Sequence, residues 1–73
     1  MIVEDIDITD TISLQLNMED DEFVIKLYEI SKECGYKEQI VYRCTRADTS
    51  LDEMIHHTRG AYNYIINNAK NNK

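Results

Sequence analysis

The 73 residues carry a formal charge of −6, from 14 acidic side chains against 8 lysines and arginines, and 42% of them are apolar. A chain of this length makes one domain with one small core, in a size range where only about 60% of the unfolded surface becomes buried and stability is marginal. No apolar run approaches the ~18 residues of a membrane span, the apolar content exceeds that of a disordered acidic tail, and the acidic balance weighs against anionic membranes and nucleic acid as direct ligands.

From Ile2 to Leu16 the even positions are mostly aliphatic (Ile2, Ile6, Ile8, Ile12, Leu14, Leu16), and the odd ones after Val3 are polar (Asp5, Asp7, Thr9, Thr11, Ser13, Gln15). Such alternation marks a half-buried strand. The polar Thr9, Asp10 and Thr11 divide it, leaving either a short hairpin or an arm over residues 1–10 followed by one strand from 11 to 16. Asn17 suits a helix N-cap, and the acids at 19 to 22 suit a first helical turn. A helix is therefore predicted over 18–34, with Phe23, Leu27, Ile30 and Cys34 on its buried face and Gly35 as its stop. Ile25 and Tyr28 lie off that stripe and form a second apolar patch.

Residues 37–46 alternate again, with Ile40, Tyr42 and Cys44 on one side and Val41, Arg43 and Thr45 on the other. Ser50 and Glu53 form a capping box that opens a last helix. Its buried stripe reads Leu51, Ile55, Thr58, Tyr62, Ile65, Ile66 and Ala69, with Met54 and Ala61 at the margin, and residues 67–73 are predicted to fray. The expected fold class is α+β, a single β(β)αβα domain over 1–73 with two helices on a two- or three-stranded sheet. So small a sheet is weak alone, which predicts completion by homodimerisation.

No constellation for catalysis stands out. His56 and His57 are adjacent on a helix, so their imidazoles point about 100° apart and cannot chelate one ion, and the spacing of zinc-protease helices is missing. Cys34 and Cys44 lack metal or redox spacing and read as small core hydrophobes; with no secretory leader in view, they suggest a reducing cytoplasmic setting. The serines lack a nucleophile-elbow context, two glycines are too few for a phosphate loop, and the run Glu19 to Glu22 lacks the alternating ligands and glycine of a calcium loop. The expectation is a protein that is not an enzyme and uses no cofactor or metal.

The charge is unevenly placed. Residues 1–33 hold ten acids against two lysines, while residues 34–73 hold four acids against six basic side chains. Asp5, Asp7, Asp10, Glu19, Asp20, Asp21, Glu22, Glu29 and Glu33 are the candidate partner-binding residues, each standing in for a phosphate. Duplex DNA carries one charge per about 1.7 Å of axis, a density that one row of helical acids reaches only with a second row from a dimer. Two other readings stay open: an adaptor that binds protein through the patch at Ile25 and Tyr28, and a small nucleic-acid binder using Arg43, Arg46 and Arg59 with Tyr42 and Tyr62.

With its small size, acid-rich segment from Met1 to Glu33, and residue choice rich in Ile, Asn and Tyr without Pro, the chain resembles the small acidic proteins by which bacteriophages disable host proteins. It is most similar to the dimeric DNA-mimic inhibitors of the histone-like protein HU from lytic Bacillus phages. Anti-CRISPR proteins, inhibitors of uracil-DNA glycosylase and anti-restriction proteins share these features. The resemblance implies a homodimer in the host bacterial cytoplasm whose carboxylates occupy the DNA-binding surface of a basic partner such as HU.

Overall fold

Period-two alternation governs the chain as far as Thr45, and a computed structural model, which describes residues 1–33 and 35–71, turns it into four strands. These are β1 (Ile2–Asp7), β2 (Ile12–Met18), β3 (Glu22–Ser31) and β4 (Gly35–Thr45), followed by one helix, α1 (Leu51–Asn71). The strands form one antiparallel sheet in the order β1-β2-β3-β4, so each neighbour in sequence is a neighbour in space. This removes the need for long crossovers.

Register assigns every side chain to a face. Ile6 opposes Leu14, Leu14 opposes Leu27, Leu16 opposes Ile25 and Met18 opposes Phe23, and Phe23 opposes Cys44. This face is covered by α1. The core comprises Leu14, Leu16, Phe23, Ile25 and Met54, with Val3, Ile8, Met18, Leu27, Ile55, Ala61, Tyr62 and Ile65 packed around it. The other face carries Asp5, Asp7, Ser13, Gln15, Asn17, Glu22, Val24, Lys26, Tyr28, Glu38, Ile40 and Arg43, and no element among the described residues covers it.

Two irregularities interrupt the ladder. Val3 is passed over between Ile2 and Glu4 in the pairing of β1 with β2, and Val41 between Ile40 and Tyr42 in the pairing of β4 with β3. Each is a bulge, which adds one residue to a strand and reverses the parity of the residues beyond it.

The two-helix α+β architecture expected from sequence is corrected by this sheet: there are four strands and one helix, and residues 22–31 of the expected first helix are β3. The spacing of Phe23, Leu27 and Ile30 fits a helix, but Phe23, Val24 and Ile25 are consecutive, and a strand with apolar residues on both faces satisfies the same positions. Half of the ten residues in β3 are β-branched or aromatic, and this composition favours the pleated conformation. Asn17, read as an N-cap, sits inside β2 and is buried. The acids at 20 and 21 form the tip of the β2–β3 turn, closed by the Glu19 amide donating to the Glu22 carbonyl at 2.8 Å. Gly35 does adopt the left-handed conformation (φ 71°), but it closes the β3–β4 hairpin rather than a helix.

Residues 2–7 are the first strand of a hairpin, and its turn is tied by Thr9 Oγ1, which accepts from the amides of Thr11 and Ile12 at 3.2 and 3.0 Å. Ser50 caps α1, its Oγ accepting from the Glu53 amide at 3.2 Å. Met54 and Thr58 are the fully buried helical positions and Leu51 is exposed, so the buried stripe is rotated from the expected one toward Met54. Cys34 and the side chain of Ala69, both expected to face inward, lie outside the described residues.

Candidate partner-binding surface

Because the acids do not share a helix, their placement follows the strands and turns. Asp5 and Asp7 project from the same, uncovered face of the edge strand β1, opposite Gln15 and Ser13; two residues along a strand separate them by about 6.8 Å. Asp10 continues the row into the β1–β2 turn, at the sheet end that also holds the β3–β4 turn residue Glu33 and Glu29, which the register sets on the opposite, helix-side face between Ile12 and Lys37. At the opposite end stand Glu19, Asp20, Asp21 and Glu22. The nine candidate residues thus divide into one group running from mid-sheet at Asp5 to the end with the β1–β2 and β3–β4 turns and another at the opposite end, and no single continuous row joins them.

The two groups differ in what neutralises them. Arg43 Nη2 lies 2.7 Å from Glu22 Oε1, and this pairing holds the guanidinium in its charged form. Arg46 spans the same turn: its Nη1 donates to the carbonyls of Glu19 and Asp20, each at 3.0 Å, its backbone amide donates to the Asp21 carbonyl at 2.9 Å, and its guanidinium carbon lies 5.9 Å from the Phe23 ring centroid. Basic charge is therefore built into this end. In contrast, no ion pair reaches Asp5, Asp7, Asp10, Glu29 or Glu33 among the described residues. The third arginine, Arg59 on α1, is occupied by Glu4, with Nε 3.2 Å from Oε1. Glu4 points toward the helix side of β1, so Arg59 leaves Asp5 and Asp7 on the opposite face unneutralised.

The uncovered face also carries a polar network. Tyr36 donates its hydroxyl to Glu38 Oε2 at 2.6 Å, Lys26 Nζ lies 3.3 Å from Glu38 Oε1, and the Tyr28 and Tyr36 rings sit 5.3 Å apart. The Tyr36 hydrogen bond, followed by that from Lys26, lowers the Glu38 carboxyl below its ordinary range. The same bond to Glu38 raises the Tyr36 phenol well above its own.

The apolar patch expected at Ile25 and Tyr28 does not exist as a surface. Ile25 is 2% exposed within the core, and Tyr28 is half-buried on the other side of the sheet. Exposed apolar side chains gather instead on β4, at Tyr36, Ile40, Val41 and Tyr42. Their sequence signal was the run Ile40, Val41, Tyr42, which breaks the alternation and marks the bulge. His56 and His57 are exposed with ring centroids 6.4 Å apart, and among the described residues no group of three His, Cys, Asp or Glu is placed to hold a metal. No helix among them is long and apolar enough to cross a membrane. The chain matches no protein family, and neither a curated protein nor a solved structure is similar to it.

Proposed function

We propose that the protein is an acidic, non-enzymatic binding module that occupies the DNA-binding surface of a basic partner, a host protein of the HU type, and acts in the bacterial cytoplasm. The observation that carries this reading is a contrast in charge: Asp5 and Asp7 on the uncovered face of β1 and Asp10 in the turn after it have no ion-pair partner among the described residues, while all three arginines have partners within the chain. An acid or carbonyl beside each arginine lowers its attraction for phosphate, which with the net charge weighs against direct binding to nucleic acid. Acids held on a strand and turn present fixed charges, whose attraction steers association and weakens with salt.

Of the nine acidic positions, Asp5, Asp7, Asp10, Glu29 and Glu33 are the phosphate surrogates expected to contribute most. Glu19, Asp20, Asp21 and Glu22 contribute less because Arg43 and Arg46 stand among them. The test is a titration of purified HU-type protein by calorimetry. Replacing Asp5, Asp7 and Asp10 together with Asn is expected to weaken binding tenfold or more, and wild-type binding is expected to fall sharply between about 50 and 500 mM salt and to be competed by duplex DNA. Unchanged affinity in the triple variant, or binding indifferent to salt and DNA, would overturn the proposal.

A further inference from the structure

A four-stranded sheet has two edges, and they differ in kind. The β1 edge carries Glu4, Asp5 and Asp7 within six residues, so two such edges repel. The β4 edge is 11 residues long, carries both signs of charge, and exposes Ile40, Val41 and Tyr42. We propose that β4 pairs antiparallel with β4 of a second copy, in the register that sets Ile40 against the partner's Ile40 and joins two sheets into one. This stands on the fold and is independent of the functional reading above.

The register follows from the bulge. Antiparallel pairing about a two-fold axis keeps each residue opposite one on the same face. In β4 the uncovered face carries Tyr36, Glu38 and Ile40 before the bulge and Arg43 and Thr45 after it, because Val41 reverses the parity. Centring on Ile40 therefore places Glu38 opposite the partner's Arg43, and Tyr36 opposite the partner's Thr45. On the helix side, Lys37 faces the partner's Cys44 and Gln39 faces the partner's bulged Val41 and Tyr42. The whole strand from Tyr36 to Thr45 is used, and faces match throughout.

Moving the axis to either neighbouring position shortens the paired segment and sets Glu38 against Ile40 or Thr45, with Arg43 against Tyr36 or Ile40. Only the Ile40 register brings opposite charges together, and symmetry makes it do so twice; Glu38 keeps Lys26 and Arg43 keeps Glu22 within each chain, so the register extends two existing pairs into one row of alternating sign across the seam. A bulge on an edge ordinarily discourages pairing. Here each bulge lies beside Gln39 of the other copy, so the two compensate. The bulged Val41 also lines a shallow apolar recess of about 250 Å³ with Ile25, Tyr42, His57 and Ala61, continuous with the proposed seam.

Sedimentation equilibrium on the full chain tests this. A dimer mass is expected for the wild type at micromolar concentration. Ile40→Glu places a carboxylate beside Lys26 within its own chain, where it is tolerated, yet brings two carboxylates together at the axis; it should raise the dimer dissociation constant tenfold or more with an unchanged circular dichroism spectrum. Independently, Glu38→Lys should weaken the dimer and adding Arg43→Glu should restore part of the loss. A wild-type chain that stays monomeric to about 0.5 mM would overturn the proposal, as would a dimer insensitive to both sets of substitutions. Neither result depends on whether an HU-type partner binds.

Discussion

At the scale of single residues, buried polarity and charge pairing set the sensitive positions. Asn17 is 8% exposed between Ile2 and Val24, and its Nδ2 finds no hydrogen-bond partner among the described residues. An unsatisfied buried amide costs about 1–3 kcal/mol, and Val suits a central strand. Asn17→Val is therefore expected to stabilise the fold by about 1 kcal/mol in urea denaturation, and a loss of stability would show that the amide has an interaction not yet accounted for. Glu38 works in the opposite sense. Its carboxyl is held low by the Tyr36 hydroxyl and then by Lys26, so its contribution is complete above the ordinary carboxylate pKa and disappears as pH falls through the lower folded value. Glu38→Gln should lower stability near neutrality, where that contribution is complete, leave it little changed at pH 2, and so flatten the acid limb of a stability-against-pH curve recorded between pH 2 and pH 6. An identical acid limb in the variant would mean that the network contributes nothing to folding.

At the scale of elements, the two glycines respond in opposite directions. Gly60 sits within α1 with open space where a Cβ would project, so Gly60→Ala should raise stability by about 0.5–1 kcal/mol through helix propensity alone. Gly35 has equally open surroundings but a φ of 71°, and Gly35→Ala should lower stability by about 1–2 kcal/mol, with Asn a milder replacement. Thermal melts of the three variants rank these effects. Gly35 also shows how much of the fold was legible in the sequence. A left-handed residue ends a helix or closes a hairpin, so the glycine fixed the conformation of its own backbone without naming the element before it. The cap at Ser50 and the alternation in 12–16 were readable because they depend on neighbours a few residues away, whereas the expected side with Ile40, Tyr42 and Cys44 is split by the bulge at Val41, which turns Ile40 to the uncovered face. β3 was not, since Phe23, Val24 and Ile25 satisfy both periods and the decision rests on flanking strands that bury both faces. Likewise the acids were visible as a list, but their division between the two sheet ends follows the strand directions. The engagement of Arg46 with the carbonyls of Glu19 and Asp20 spans 27 and 26 residues of chain, beyond any local pattern.

For the whole molecule, the decisive fact is that, among the described residues, a single helix closes the core against the sheet. The chain spans 39 × 28 × 14 Å, and Leu14, Leu16, Phe23 and Ile25 are closed off by α1 through Met54, which is fully buried, and by the side chains around it. Exposing a large apolar side chain costs about 1.5–3 kcal/mol, so uncovering four of them approaches or exceeds the total stability of a domain, about 5–15 kcal/mol at most and less at this size. A chain ended after Asp48 should therefore lose cooperative folding altogether, with no thermal transition and collapsed amide dispersion in NMR spectra. Met54→Ala keeps the helix but opens a cavity at its contact with Cys44, whose sulfur lies 3.5 Å from that of Met54. It should cost about 2–5 kcal/mol, enough to leave so small a domain partly unfolded at 37 °C. A truncated chain that still melted cooperatively would mean that the sheet supports itself from its uncovered face. Burial of Val24 and Asn17 on that face amounts to a few side chains in the middle of the sheet, too little to replace the wall that α1 provides.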